Sequence, residues 1–478
     1  MRLCDLIKKE EICGGAFTDT DVYDISDKPE NVSDKTAYFH IGNDDERVMS
    51  AVRSGAVAVI SCVGAKAPND VSAQVIRVPD VRYAYALACQ RFYGEPSKKM
   101  KLIAVTGTNG KTTTSHAVAH ILSHAGHKTG IIGTVGNYIN GKRLPASYTT
   151  PPPREMAKLL KEMNDAEAEF AVIEASSHAL DQSRTGGLTF DVGIFTNLSR
   201  DHLDYHKTEE SYAASKSKLF SSCRHSVINL DDAHAKDMAF CAAGDVYYVS
   251  AKDKSADFFA DDIVCAMKRT DFSLSSYYGK IDVKTSLTGD FNVYNVALAA
   301  AAARIAGVEN NDIASALADF SAVEGRTQAY EKNGVTAVID FAHTPDALEK
   351  VILSLRPLTS GRIITVFGCG GNRDRGKRPI MGAIAEKYSD KVILTSDNPR
   401  NERPNDIIND IMSGISDPTK VEKIQNRADA IFHALNGAKR GDTVLIAGKG
   451  HEKYIEDEFG KSPFSDKEQV KKIFYEDK

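Results

Sequence analysis

Short apolar runs that end in glycine or polar residues recur along the chain, and they predict a series of strand-then-helix units. AVAVIS (56–61) and QVIRV (74–78) read as buried strands of a small first segment. KLIAVTG (101–107) is an apolar strand running into a glycine turn, and a helical pattern follows from Lys111 to about Ala125. EFAVIEASS (169–177) and VGIFTNLS (192–199) repeat the design. Between them Met156, Leu159, Leu160 and Met163 keep amphipathic spacing over 154–163, a helix for which core packing is a sufficient explanation. A fresh series opens with VTAVIDFAHTP (335–345) and continues through RIITVFG, KVILTSD and DTVLIAG. Strands alternating with helices imply mostly parallel sheets, whose ligands gather at the carboxyl ends of the strands.

The segment YGEPSKKMK (93–101) is poor core material and reads as a linker, and a second boundary falls near Ala322. Three α/β domains follow, at 1–97, 98–322 and 323–478, as a chain of 478 residues leads one to expect. The composition, 42% hydrophobic and 26% charged, is that of a soluble globular protein. A net charge of -5 offers no general attraction to nucleic acid or to an anionic membrane, so an anionic substrate would need local basic groups. The segment MRLCDLIKKE lacks a signal-peptide core and no apolar stretch approaches a membrane span, which together predict a cytoplasmic protein. Eight cysteines without a CxxC pair or a zinc-like spacing fit reduced thiols.

The strongest chemical signal is AVTGTNGKTTT (104–114), which joins a strand to a helix where backbone N–H groups can hold phosphate oxygens. Lys111 would reach the outer phosphates and Thr112 would bind Mg²⁺. Val105 stands where the usual phosphate loop has its first glycine, and Gly107 is the loop glycine instead. The bland alternative is a glycine turn with a solvated lysine. Glu174 ends its strand, from which a carboxylate can point into the phosphate site and hold Mg²⁺ through oxygen.

TGTNGKT resembles the loop of the Mur ligases and the folylpolyglutamate synthases. ASSHAL together with FTNLSRDHLDYH (195–206) is similar to the Mur ligases in particular. The resemblance implies a central P-loop-type parallel-sheet ATPase domain and a Rossmann-like C-terminal α/β domain, with ATP between them. It places Gly107, Thr108, Asn109, Gly110, Lys111, Thr112 and Thr113 on the phosphates, and Asn292 and Asn295 near the adenine. Arg326 would contact phosphate, with Asp340 and His343 flanking ribose and base. On spacing alone, Asn292 and Asn295 would read as a solvated or capping face. His202 would bind a second Mg²⁺ with Asn197 in the same site, although a histidine in DHLD could equally be a loop residue held by its neighbouring aspartates. Lys216 in YAASKSKLF (212–220) would be the carbamylated lysine. Lys218 is the rival on sequence alone, and the spacing to Leu219-Phe220 selects Lys216. Lys111, Glu174, His202 and Lys216 form the implied catalytic set.

The loops GCGGNRDRGKRPIM (368–381), TSDNPRNE (395–402) and AGKGHEKY (447–454) each follow a predicted strand, so they should gather at one sheet edge. The first is strongly basic, which by itself could be a solvated face. Together they resemble the tripeptide-forming members of the family, in which the DNPR motif recognises meso-diaminopimelate. That assigns Asp397, Asn398, Pro399 and Arg400 to the amino acid, with Arg373, Gly448 and Glu452 at matching positions. SYTTPP (147–152) implies that Thr149, Thr150, Ser176, Gln182 and Arg184 meet the nucleotide-sugar-peptide. Residues 1–100 resemble the family only in outline, since neither the DSR nor the DGHDF-like segment of most relatives is intact. The function implied is an ATP- and Mg²⁺-dependent ligase, a monomer, that adds meso-diaminopimelate to UDP-MurNAc-L-Ala-D-Glu through an acyl phosphate. The alternatives are a lysine-adding or altered-substrate paralogue, a folylpolyglutamate-synthase-like ligase, or a non-catalytic nucleotide-binding protein.

Overall fold

The computed structural model describes residues 1–65 and 71–476. Three major sheets follow one another along the chain. The first has five strands, with Gln74–Val78, Ala56–Cys62, Thr36–Phe39 and Asp24–Ser26 as parallel neighbours and the short Gly14–Gly15 antiparallel at its edge.

The second sheet has eleven strands. Its centre is parallel, as expected: Thr129–Ile132, Phe170–Glu174, Lys101–Thr106, Phe190–Phe195, Cys223–Asn229, Asp245–Ser250 and Phe258–Ala266 lie side by side in that order. Its flanks are antiparallel, which the reading of a parallel sheet did not anticipate. Arg269–Ser276 and Gly279–Thr285 extend one side, and Asn137–Ile139 and Lys142–Leu144 the other. The physical cause of the second hairpin is a two-residue turn in which Asn140 and Gly141 both take positive φ, at 48° and 81°. That is the backbone twist an Asn-Gly hairpin turn favours.

Strand Lys101–Thr106 lies between Phe170–Glu174 and Phe190–Phe195, so the chain leaves it to build outward on both sides. A crevice opens at the carboxyl end of such a strand. Helix Lys111–His124 starts there and packs through Ala117, Val118, Ile121 and Leu122 on Ala297, Leu298 and the buried alanines 299–303 of helix Phe291–Ile305. The third sheet orders Gln328–Lys332, Val335–Asp340, Thr443–Ala447, Ile363–Phe367, Lys391–Leu394 and Val421–Lys423, parallel except for the first pair. The loops after 363–367, 391–394 and 443–447 therefore leave one edge of three adjacent strands, as the sequence predicts.

Helix Pro153–Asp165 covers the expected amphipathic segment, and its apolar residues are buried. The segment expected to be a linker carries a 3₁₀ turn, Pro96–Lys99, with Pro96 and Met100 buried. Among the described residues, no helix is long and apolar enough to cross a membrane.

Candidate active site

The phosphate loop is shaped by two glycines that cannot be replaced cheaply. Gly107 has φ of 148°, and a Cβ there would lie 1.9 Å from Thr196 Oγ1. Gly110, at φ 86°, would bring a Cβ to 2.2 Å from Asn295 Oδ1. The loop is braced from strand Phe190–Phe195 and beyond: Asn109 N donates to Asn197 Oδ1 at 3.0 Å, and Thr196 Oγ1 donates to the Asn109 carbonyl at 2.6 Å. Thr108 Oγ1 meets Tyr212 OH at 3.1 Å and accepts from Ser199 N at 3.0 Å. Thr113 is buried. Asn292 and Asn295 are buried rather than solvated, and Asn295 Nδ2 donates to Asn292 Oδ1 at 2.9 Å.

Two lysines converge on one loop carbonyl. Lys111 Nζ donates to the carbonyls of Gly107 and Thr108, both at 2.9 Å, and Lys216 Nζ donates to the same Gly107 carbonyl at 2.7 Å. The Lys111 head is therefore held by the loop rather than free in solvent. Lys216 is 1% exposed and its ammonium sits 4.5 Å from the centre of the Tyr212 ring. Burial, reinforced by the Lys111 charge and only partly opposed by Asp201, pushes the Lys216 pKa well below the ordinary lysine value. Lys218 points elsewhere, to Asp181 at 2.8 Å, so Lys216 alone of the two reaches the loop.

Glu174 is fully buried beside the loop. Its Oε2 accepts from Thr112 Oγ1 at 3.1 Å and Thr134 Oγ1 at 2.8 Å, and its Oε1 accepts from Thr134 N at 3.1 Å. His202 is in the left-handed region at φ 54°, and its Nε2 lies 3.4 Å from Asp201 Oδ2. It thus leans on a neighbouring aspartate, as its plainer reading holds, while its ring also packs 6.1 Å from Tyr212, which carries the Lys216 ammonium on its face. Burial pushes the His202 imidazole down to about 4, against the pull of Asp201, so the ring is neutral near pH 7.

The set Thr149, Thr150, Ser176, Gln182 and Arg184 is brought into one network. Thr150 Oγ1 donates to the Glu174 carbonyl at 2.6 Å and accepts from Ser176 N at 3.0 Å. Arg184 Nη1 donates to the Thr150 carbonyl at 2.8 Å and its Nη2 to Gln182 Oε1 at 2.8 Å. Thr149 Oγ1 is 3.0 Å from Thr134 Oγ1, which ties this network to the Glu174 carboxylate.

The third sheet's domain closes on the loop through two contacts. Arg326 Nη2 donates to Thr112 Oγ1 at 3.1 Å, and Asn109 Nδ2 donates to Asp346 Oδ2 at 3.0 Å. Arg326 stacks over the Phe341 ring at 4.4 Å, and its buried Nε has no hydrogen-bond partner among the described residues. Asp340 accepts from Thr327 N, Thr327 Oγ1 and Ala342 N at 2.7, 3.1 and 2.7 Å, so its carboxylate is engaged in holding the turn beside Arg326. His343 Nδ1 lies 2.9 Å from the Phe341 carbonyl, and burial pushes this ring too down to about 4.

At the three loops, Arg400 adopts φ 49° and donates through Nη1 to the Gly371 carbonyl at 2.8 Å. Gly371 has no room for a side chain, since a Cβ would lie 1.9 Å from the Pro399 carbonyl oxygen, and Pro399 is itself buried. Asn398 Nδ2 donates to Glu452 Oε2 at 2.8 Å. Asp397 is buried, and a Cβ on Gly448, at φ 109°, would lie 2.7 Å from its Oδ2. Arg373 is exposed and is engaged by no hydrogen bond or ion pair among the described residues. The solvated alternative for the basic loop fails at Arg378, which is fully buried and grips Glu402 through both carboxylate oxygens at 2.8 and 2.9 Å. Arg378 also reaches Asp410 Oδ2 at 2.9 Å.

Sequence reasoning missed Lys449, which is fully buried and donates to Asn398 Oδ1 at 2.9 Å and Glu452 Oε2 at 3.0 Å. The available signal was its place between Gly448 and Gly450, both at positive φ, since such a pair folds a loop back on itself. Arg378, Asp346 and Glu456 were also missed and carry no distinguishing signal.

Residues 105–303 match the family model of the Mur ligase middle domain, and residues 325–450 that of the Mur ligase, glutamate ligase domain. The chain is 40% identical over 456 residues to UDP-N-acetylmuramoyl-L-alanyl-D-glutamate--2,6-diaminopimelate ligase 1 of Clostridium acetobutylicum, covering 94% of this chain and 93% of that one. It is 44% identical over 433 residues to the UDP-N-acetylmuramoyl-L-alanyl-D-glutamate--2,6-diaminopimelate ligase of Aquifex aeolicus, covering 89% and 87%. A solved structure of a ligase with that same name superposes with a TM-score of 0.70 at 35% identity, over 95% of both chains. The chain belongs to the Mur ligase family. It is an ATP-dependent amide-bond-forming ligase of three-domain Mur architecture.

Proposed function

We propose that this protein adds meso-diaminopimelate to the D-glutamyl carboxylate of UDP-MurNAc-L-Ala-D-Glu in peptidoglycan precursor synthesis. The observation that carries the amino-acid assignment is Arg400. It stands on the DNPR loop in the left-handed region, and among the described residues the remaining hydrogens of both terminal nitrogens are uncommitted. Diaminopimelate differs from lysine by one carboxylate, and a planar guanidinium is the natural partner for it. The names of the relatives support the same substrate.

A free carboxylate is a poor acceptor for an amine because its oxygen leaves badly. Transfer of the ATP γ-phosphoryl group gives an acyl phosphate, and the neutral amine then attacks the carbonyl carbon and expels phosphate. Lys111 and Arg326 neutralise the charge on the moving phosphoryl group. The loop 107–113, with Asn292, Asn295, Asp340 and His343, holds the nucleotide. Thr149, Thr150, Ser176, Gln182 and Arg184 hold the sugar-peptide, and Arg373, Asp397, Asn398, Gly448 and Glu452 line the amino-acid site. Domains divided near 97 and 322 bring the three substrates together.

The buried oxygens of Thr112 and Glu174, in contact with each other, would hold one Mg²⁺, and His202, kept neutral, would hold a second. Mg²⁺ bound there would neutralise phosphate charge. Lys216 fits as a carbamate: its depressed pKa supplies the neutral amine that adds to CO₂ with release of a proton, and the product offers oxygens where an ammonium has no acceptor. The protein acts as a monomer in the cytoplasm.

Phosphate release measured with UDP-MurNAc-L-Ala-D-Glu and, in turn, meso-diaminopimelate, lysine and ornithine tests the assignment. Turnover that requires both substrates and favours diaminopimelate is expected. Equal turnover of lysine would refute it.

A further inference from the structure

Three consecutive prolines, Pro151, Pro152 and Pro153, separate Thr150 from Arg154. Each ring fixes its own φ and keeps the residue before it extended, so this segment is a stiff spacer. At its near end Thr150 belongs to the network with Ser176 and Arg184. Its far end opens helix Pro153–Asp165, and there Arg154 reaches out of the central domain into the first. Arg154 Nη1 donates to the Ile25 carbonyl at 2.8 Å, and Nη2 donates to Asp24 Oδ1 at 2.7 Å. Both acceptors lie on the edge strand Asp24–Ser26 of the first sheet, and Ile25 is fully buried. Tyr93, at the end of helix Val81–Phe92, adds a further favourable interaction with the guanidinium.

The rest of this domain boundary is close packing. Ala157, one helical turn beyond Arg154, is buried in the core of the first domain with Ile25, Tyr85 and Cys89. Just after Arg184 the chain runs against helix Val81–Phe92 so closely that a Cβ on Gly186 would lie 3.0 Å from Ala86 Cβ, and one on Gly187 2.5 Å from Leu87 Cδ2. Apolar contacts of this kind hold two surfaces together without directing them. The guanidinium does direct them, by two bonds of defined geometry to consecutive residues of one strand. Among the described residues, Arg154 and Asp24 form the one ion pair outside the linker that joins the first sheet's domain to the second's.

We infer that Arg154 is a positioning residue for the sugar-nucleotide substrate: through the proline spacer it sets the edge strand Asp24–Ser26 at a fixed distance and angle from Thr149 and Thr150, so that both domains hold one extended ligand at once. The inference rests on the reading under Proposed function, in which Thr149, Thr150, Ser176, Gln182 and Arg184 hold the sugar-peptide. With the D-glutamyl carboxylate directed at the phosphate loop, the uridine diphosphate at the other end of the substrate extends towards the first domain. A first domain free to swing would have to be ordered each time this substrate binds, and Arg154 removes that entropic cost in advance.

The test measures kcat and the KM of each substrate in wild type, R154M, R154K, D24A and the double variant R154M/D24A, with thermal unfolding followed in parallel. Methionine keeps an apolar stem and removes both bonds, whereas lysine keeps the charge. R154M should raise the KM for UDP-MurNAc-L-Ala-D-Glu about 10-fold, the scale of a charged hydrogen bond at a partly exposed site, with kcat and the KM values for ATP and the amino acid unmoved. R154K should recover part of that loss. D24A should raise the same KM, and the double variant should be no worse than R154M, because the two residues act as one contact. An unchanged KM for the sugar-nucleotide in R154M would overturn the inference. So would a fall in kcat with every KM unmoved and earlier melting, the mark of a merely structural role. Additive losses in the double variant would overturn the link to the first domain. A wild-type enzyme that releases no phosphate from ATP with UDP-MurNAc-L-Ala-D-Glu and any amino acid would instead overturn the reading under Proposed function.

Discussion

The phosphate loop and the amino-acid loops each bury a lysine, and they surround it in opposite ways. Lys216 meets a backbone carbonyl, an aromatic face and a second ammonium, with no carboxylate in hydrogen-bond reach among the described residues. Lys449 meets a carboxylate and a side-chain amide. A buried cation with an anionic partner is a structural strut; one placed beside another cation is held towards its neutral form. On the proposed function, the first arrangement would fix Glu452 and Asn398 for the amino acid, and the second would keep an amine ready to add CO₂. Burial alone says nothing about the role, and the partners decide it.

Removing Lys216 should have the largest effect. Lys216→Ala is expected to lower kcat by about 10³-fold or more, since the oxygens that the carbamate would offer to the proposed Mg²⁺ site beside the phosphate loop are lost. Intact-mass measurement under CO₂ should find one added CO₂ on wild type and none on the variant. The neutral fraction of a lysine with a lowered pKa rises with pH, so the modified fraction at low CO₂ should rise with pH as well. A fully active variant would break the contrast at its first member.

Arg400→Ala comes next, with KM for diaminopimelate raised about 100-fold and KM for ATP unmoved, the size expected when a charged hydrogen-bond pair is deleted at a site built for it. Lysine turnover should change far less in the same variant. Lys449→Met follows. It leaves Glu452 partly buried without its cation, and should cost about 2 kcal/mol in stability by denaturant titration. It should also raise KM for the amino acid. A variant of unchanged stability would show that Lys449 is no strut.

The two regions also differ in how far the sequence disclosed them. Around the phosphate loop, strand 101–106, the helix from Lys111 and the strand-terminal Glu174 were legible because apolar runs end sharply there and the chemistry sits at the break. In the amino-acid site the loops were legible and their wiring was not. Lys449 reads as a solvated lysine until both glycines beside it fold the loop inward, and Arg378 reads as one cation in a basic run. Glu456 meets Arg400 only through a hairpin whose register depends on tertiary contacts. The antiparallel flank 258–285 was missed for a related reason. Its first strand carries a run of exposed residues and a register shift between Asp261 and Val264, which breaks the alternation that marks a strand.

The smallest expected effect probes a pair that joins two of the amino-acid loops. Hydrogen bonds from Arg378 hold the Glu402 carboxyl down to about 2, from an ordinary value of 4.5. Because the folded pKa is depressed, the pair's contribution is fully present above the unfolded value, and it is lost as pH falls through the folded one. The stability gap between wild type and Glu402→Gln should therefore be widest above about pH 5 and shrink steadily towards pH 2, measured by urea titration across that range. Glu402 is partly exposed and Arg378 keeps Asp410 as a second partner, so the gap should be modest even at its widest. A gap that stayed constant with pH would mean that Arg378 supports these loops by packing alone, and the amino-acid site would then owe less to its ion pairs than Lys449 and Glu456 suggest.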